Sequence, residues 1–64
     1  MSPAAMIRRR RLQEAAERLR QEPGLSLAAL AADLGYADQA HLTNDFRHVL
    51  NVTPSGYRRD LDAD

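Results

Sequence analysis

Leu30-Ala31-Ala32-Asp33-Leu34-Gly35-Tyr36-Ala37-Asp38-Gln39-Ala40-His41-Leu42 is the stretch on which the fold turns. Upstream, Ser26 is a helix cap, and Leu27, Leu30, Ala31 and Leu34 fall on one helical face. Gly35 stands just after Leu34, where a left-handed C-terminal cap is expected because glycine adopts it without strain. Only Tyr36 and Ala37 separate it from the next cap, Asp38. The helix that follows, 39 to about 50, places Leu42, Phe46, Val49 and Leu50 on its buried face. Two helices joined by so short a glycine turn cannot pack antiparallel. They must cross steeply, with Leu30, Ala31 and Leu34 under Leu42 and Phe46, and with small Ala31 and Ala32 permitting close approach. That is a helix-turn-helix arrangement.

Reading outward, Ser2-Pro3 is a capping hydroxyl followed by proline at the first helical position. No further proline or glycine appears before Pro23-Gly24, so one long helix fits residues 3 to 21. Its apolar stripe is Leu12, Ala15, Ala16 and Leu19, thinning to Met6 and Ile7 around Arg8-Arg9-Arg10-Arg11. The helix should therefore be well packed in its C-terminal half and poorly covered in its N-terminal half. On the other side, Asn51 is a C-cap that tolerates the left-handed region. Thr53-Pro54 starts a short fourth helix carrying Tyr57 and Leu61. The expected fold is all-α: a helix-turn-helix domain of three to four helices with a long N-terminal helix. Residues 1–24 are expected to form that helix and its turn and 25–64 the helix-turn-helix unit, in one compact domain overall.

Composition excludes several alternatives. Sixty-four residues allow one small domain, and 44% hydrophobic with 28% charged residues is globular composition. There is no cysteine, hence no disulfide or thiolate metal site. No apolar run approaches the ~20 residues that cross a bilayer. No signal-peptide stretch opens the chain, so the expected compartment is the cytoplasm. Nine arginines balance nine acids with no lysine at all. Exclusive use of arginine fits either bidentate phosphate contacts or a GC-rich coding bias. The negative charge gathers at Asp60, Asp62 and Asp64.

Met1 to Arg8 echoes Val52 to Arg59: apolar, hydroxyl, proline, two small residues, a large side chain, then arginine at the eighth place. A capped, proline-started helix that follows a helix-turn-helix in the second copy is expected to follow one in the first. That earlier unit would lie before residue 1.

These residues resemble a family. Leu27-Ala28-Ala29-Leu30-Ala31, Leu34-Gly35-Tyr36-Ala37-Asp38-Gln39-Ala40-His41-Leu42-Thr43, Phe46-Arg47 and Val52-Thr53-Pro54-Ser55-Gly56-Tyr57-Arg58 look like the C-terminal part of AraC/XylS-type transcription regulators. The likeness runs from residue 2 to residue 59. It implies that residues 3–21 are the linker helix between two helix-turn-helix units and that 26–59 form the second unit. A first unit, and the effector or dimerisation domain many members carry, would lie outside this chain. Two residues depart from the family's pattern: a basic residue often stands where Asn44 does, and Asp45 adds negative charge beside it.

At about 100° per residue, the face of the third helix opposite Leu42, Phe46 and Val49 carries Ala40, Asn44, Arg47 and His48, flanked by His41 and Thr43. In a helix-turn-helix the second helix enters the major groove with its N-terminal residues at the base edges. Gln39, Ala40, His41, Thr43 and Asn44 are therefore the candidates for base contact, and the resemblance implies the same positions. Gln39 and Asn44 suit adenine, Thr43 and Ala40 a thymine methyl, and His41 a guanine acceptor. Ser26, Leu27, Arg47, Arg58 and Arg59 are the candidates for phosphate.

His41, Asp45 and His48 share a helix edge at one-turn spacing, a pattern that could ligate a metal. Three ligands on one short helix read better as a solvated polar edge, so no metal and no cofactor are expected. Ser26 and Ser55 have no identifiable histidine partner, and no glycine-rich phosphate loop exists, so the chain is not read as an enzyme. The expected function is sequence-specific binding of double-stranded DNA as part of a transcription regulator, with no membrane partner. The competing reading is a protein-interaction or dimerisation module. In it, helix 3–21 presents Met6, Ile7 and an arginine ridge to RNA polymerase or to a second copy of the chain.

Overall fold

Ser2, itself extended, caps the first helix, its Oγ accepting a hydrogen bond from the Ala5 amide at 3.2 Å. In the computed structural model, which describes residues 2–62, the chain forms α1 (Pro3–Gln21), α2 (Leu27–Asp33), α3 (Gln39–Leu50) and α4 (Pro54–Leu61). The described residues contain no strand. Each helix begins where a capping oxygen was expected. Ser26 Oγ accepts from the Ala29 amide, Asp38 Oδ1 from His41 at 2.8 Å, and Thr53 Oγ1 from Gly56 at 3.0 Å. These side chains satisfy amides that have no partner inside their own helix. The two echoed segments both start helices at a hydroxyl followed by proline; Met1 of the first lies outside the described residues, as does Asp64 of the acidic cluster.

The turn between α2 and α3 closes on two hydrogen bonds. The Gly35 amide donates to the Ala32 carbonyl at 3.1 Å and the Tyr36 amide to the Ala31 carbonyl at 2.9 Å. Gly35 has φ +87°, in the left-handed region. This pair of bonds ends a helix abruptly and turns the chain aside. Asn51 makes the second sharp stop, with φ 61° and its amide on the Arg47 carbonyl.

One core joins the helices. Leu12, Ala15, Ala16 and Leu19 of α1 meet Leu30 and Ala31 of α2, Tyr36 of the turn, and Leu42 and Phe46 of α3. Phe46 and Tyr57 of α4 lie with ring centroids 5.8 Å apart, which brings α4 onto the same core. Met6 and Ile7 are 55% and 58% exposed, so the N-terminal half of α1 does stand uncovered.

Three expectations change. Leu50 is exposed, because it lies about 80° round α3 from Leu42 and passes the edge of the core. Val49 is only half-buried. Ala31 alone makes the close approach of α2; Ala32 faces solvent and serves the turn through its carbonyl.

Candidate nucleic-acid interface

The outward face of α3 is set by what holds its inward face. Leu42 and Phe46 are fully buried, one turn apart, and fix the helix's rotation about its axis. Gln39, Ala40, His41, Asn44, Arg47 and His48 are then exposed and Thr43 half-buried. The five candidate base-contacting residues thus lie along the first turn and a half of one helix, beginning at its capped end. Asp38, also at that end, has its carboxylate engaged by the His41 amide, a placement the helix dipole favours.

Asp45 sits at the edge between the buried and exposed faces. Its Oδ2 lies 4.0 Å from His41 Nε2 and 4.0 Å from Arg8 Nε of α1. His48, the third residue of that helix edge, is not in this group. Among the described residues no three His, Asp or Glu side chains converge to hold a metal ion. His41 also meets the edge of Tyr36, ring centroids 5.0 Å apart at 66°, and the Arg11 guanidinium lies 5.1 Å over the Tyr36 ring. Burial, followed by the nearby Asp45 carboxylate, pushes the Tyr36 phenol above its ordinary value, with Arg11 pulling the other way. Tyr36 is 6% exposed, and its hydroxyl has no hydrogen-bond partner among the described residues.

Tyr36 was a residue that sequence reasoning passed over as a spacer. The signal was present: the second residue after a glycine-stopped helix commonly packs back against that helix. The Arg8–Asp45 and Arg11–Tyr36 contacts had no such local signal, since they join α1 to residues more than two dozen positions away.

The phosphate candidates lie apart from one another. Ser26 caps α2, so its hydroxyl oxygen is already engaged with Ala29. Leu27 packs its side chain against the core and offers outward only the first amide of the helix. Arg47 and Arg59 are exposed and, among the described residues, make no ion pair or side-chain hydrogen bond. Arg58 makes contacts within the fold. Its Nη1 donates to the Pro23 carbonyl at 3.0 Å and to the Leu25 carbonyl at 2.6 Å, tying α4 to the loop between α1 and α2. Arg20 reinforces the same junction, donating to Tyr57 Oη at 2.7 Å and pairing with Glu17. These contacts, with the Glu22 and Asp33 pairs of Arg18, hold the guanidinium groups of Arg18 and Arg20 above even their ordinary basicity.

Among the described residues no helix is long and apolar enough to cross a membrane. A family model described as a helix-turn-helix domain matches residues 1–60. A protein of Haemophilus influenzae described as an uncharacterized HTH-type transcriptional regulator is 36% identical over 61 residues, covering 95% of this chain and 20% of the relative. The chain therefore spans about a fifth of the length of the curated relative it matches. No solved structure matches.

Proposed function

Because this chain belongs to the AraC-type helix-turn-helix family, we propose that α3 enters the major groove of double-stranded DNA and reads base edges there. Gln39, Ala40, His41, Thr43 and Asn44 make the base contacts. Arg47, one turn further on, the Ser26–Leu27 end of α2 and Arg59 meet phosphates. Arg58 is left to its loop. The observation that carries this reading is the sorting of α3: two fully buried anchors, Leu42 and Phe46, behind a run of exposed amide, imidazole, hydroxyl and methyl groups at the capped end. Those are the donors, acceptors and apolar contacts that major-groove edges distinguish, each good pair being worth roughly 1–3 kcal/mol of discrimination. In a longer protein the unit would deliver a transcription regulator to its site.

The test is selection from a randomised duplex pool. The wild-type chain should enrich a short motif, and Gln39→Ala with Asn44→Ala should flatten it by about 2–6 kcal/mol of summed preference. Both side chains are exposed, so the melting temperature should not move. An unchanged motif from the double variant would sink the assignment of α3 as the reading helix.

A second reading rests on Met6 and Ile7, which flank a shallow groove with Pro3 and Arg10. There α1 would receive RNA polymerase or a second chain. Ile7→Ser would weaken that association and leave the enriched motif intact.

A further inference from the structure

The reading helix is short of positive charge. From residue 36 to residue 50 the formally charged side chains are Asp38, Asp45 and Arg47, a net of minus one. DNA affinity comes chiefly from neutralised phosphates, so a working interface must find cations elsewhere. The arginines divide clearly by occupation. Arg18 and Arg20 are engaged in ion pairs, Arg58 in carbonyl contacts, and Arg11 over the Tyr36 ring. Arg8, Arg9, Arg10, Arg47 and Arg59 remain, and among the described residues only Arg8 of these has a charged partner.

Two of the five border α3. Arg8 reaches Asp45, and a shallow groove between α1 and α3 is lined by Ala5, Arg8, Arg9 and Val49. Arg10, about 200° round the helix from Arg8, faces the other way and lies beside Met6 and Ile7. Going round α3 from the groove, Asp45 is followed by His41 and His48 and then by Asn44. The arginine edge of α1 is therefore continuous with the polar edge of α3. The Arg8 contact also offsets the one carboxylate that would repel phosphate at this edge.

We propose that Arg8 and Arg9 make α1 a second DNA-contacting element, gripping the phosphate backbone alongside the groove that α3 reads. The inference rests on the α3 reading above. It gives the arginine run a different role from a solvated ridge or a protein-facing one. Charge complementarity selects the occupant: among the described residues the exposed Arg9 guanidinium has no charged partner, and the partly exposed Arg8 guanidinium meets Asp45 only at 4.0 Å, so both can turn to a polyanion beside a helix already shaped for a groove.

The experiment is a salt series of anisotropy titrations, with the full chain and a short mixed-sequence duplex. Arg9→Gln should lower the slope of log K against log salt by about 0.9, and Arg8→Gln with Arg9→Gln by about 1.8. Arg10→Gln is the matched control on the far side of α1 and should leave the slope unchanged. Affinity should fall equally for every duplex sequence, because phosphate contacts carry no base information. Equal slopes for the Arg9 and Arg10 variants, whether both lowered or both unchanged, would overturn the proposal. If the Arg9 variant keeps its slope while Gln39→Ala with Asn44→Ala still flattens selection, only this inference fails. If the wild-type chain binds no duplex even at low salt, both readings fall together.

Discussion

Replacing Arg58 by methionine removes the guanidinium while keeping an unbranched apolar stem, and so isolates the two hydrogen bonds that tie α4 to the α1–α2 loop. Hydrogen bonds from a charged donor contribute about 1.5–3 kcal/mol when buried. Here the Pro23 carbonyl is exposed and can turn to water at little cost, whereas the Leu25 carbonyl is partly buried. The expected loss is therefore at the lower end, about 1–2 kcal/mol. In a domain of this size each kcal/mol moves the melting temperature by about 4–8 °C, so the Met variant should melt about 5–15 °C lower. Arg58→Lys should recover part of that, because a single ammonium can serve one of the carbonyls well. Thermal unfolding followed by helical circular dichroism measures both. Duplex binding is then compared at a temperature where each variant is folded. If Arg58→Met melts with the wild type yet loses duplex affinity, the side chain is a phosphate contact and the loop-tying argument is wrong.

Further outcomes attach to single residues. Gly35→Ala should cost about 1–2 kcal/mol, because a Cβ at φ +87° has open space around it and the cost is purely that of the left-handed backbone; Gly24→Ala, also in open space, should be near neutral in the same melt. Tyr36→Phe removes a buried hydroxyl that has no partner among the described residues and should stabilise the fold by about 1 kcal/mol, and a lower melting temperature would show that the hydroxyl is satisfied. The raised phenol sets the pH behaviour: the folded state favours the neutral form, so that contribution is present below about pH 10 and lost as pH climbs through the folded value. Urea midpoints should thus fall more steeply above pH 10 for wild type than for Tyr36→Phe, and parallel curves would refute this. Phe46→Ala, at a site with no exposure, should lose about 3–5 kcal/mol and leave little helical signal at 25 °C.

Local chemistry made the helices legible before any coordinates. Each start is marked by an oxygen that bonds an amide three residues on, and the two abrupt stops by the residues best suited to positive φ. Those rules act over a few residues, so they survive without knowledge of the fold. What could not be read was the partnering of the arginines. A guanidinium can reach in almost any direction, and whether it finds Asp33, the Tyr57 hydroxyl or the Leu25 carbonyl depends on how helices distant in sequence come to lie side by side. Arg58 and Arg59 are neighbours in the chain, yet one is tied to a loop and the other makes no ion pair or side-chain hydrogen bond among the described residues. The candidate reading face on α3 was legible as a set of positions because helical periodicity alone separates it from Leu42 and Phe46. Its link to α1 through Asp45 was not, for the reason that hid the arginine contacts.

The uninterrupted run of α1 has a geometrical consequence. Its C-terminal half is locked in the core by Leu12, Ala15 and Leu19, while its first turns bury no side chain, and no glycine lies within the helix to absorb a twist. The rod is about 28 Å long at 1.5 Å per residue, and each residue counts for about 100° of azimuth. The bearing of Arg8 and Arg9, and of any body joined at that end, is therefore a phase fixed by residue count. One residue inserted after Arg11 would carry both arginines about 100° away from Asp45 and Val49. Four would restore the bearing to within about 40° but displace it by about 6 Å along the axis. The length of the helix is in this sense a setting, as specific as any side chain it carries.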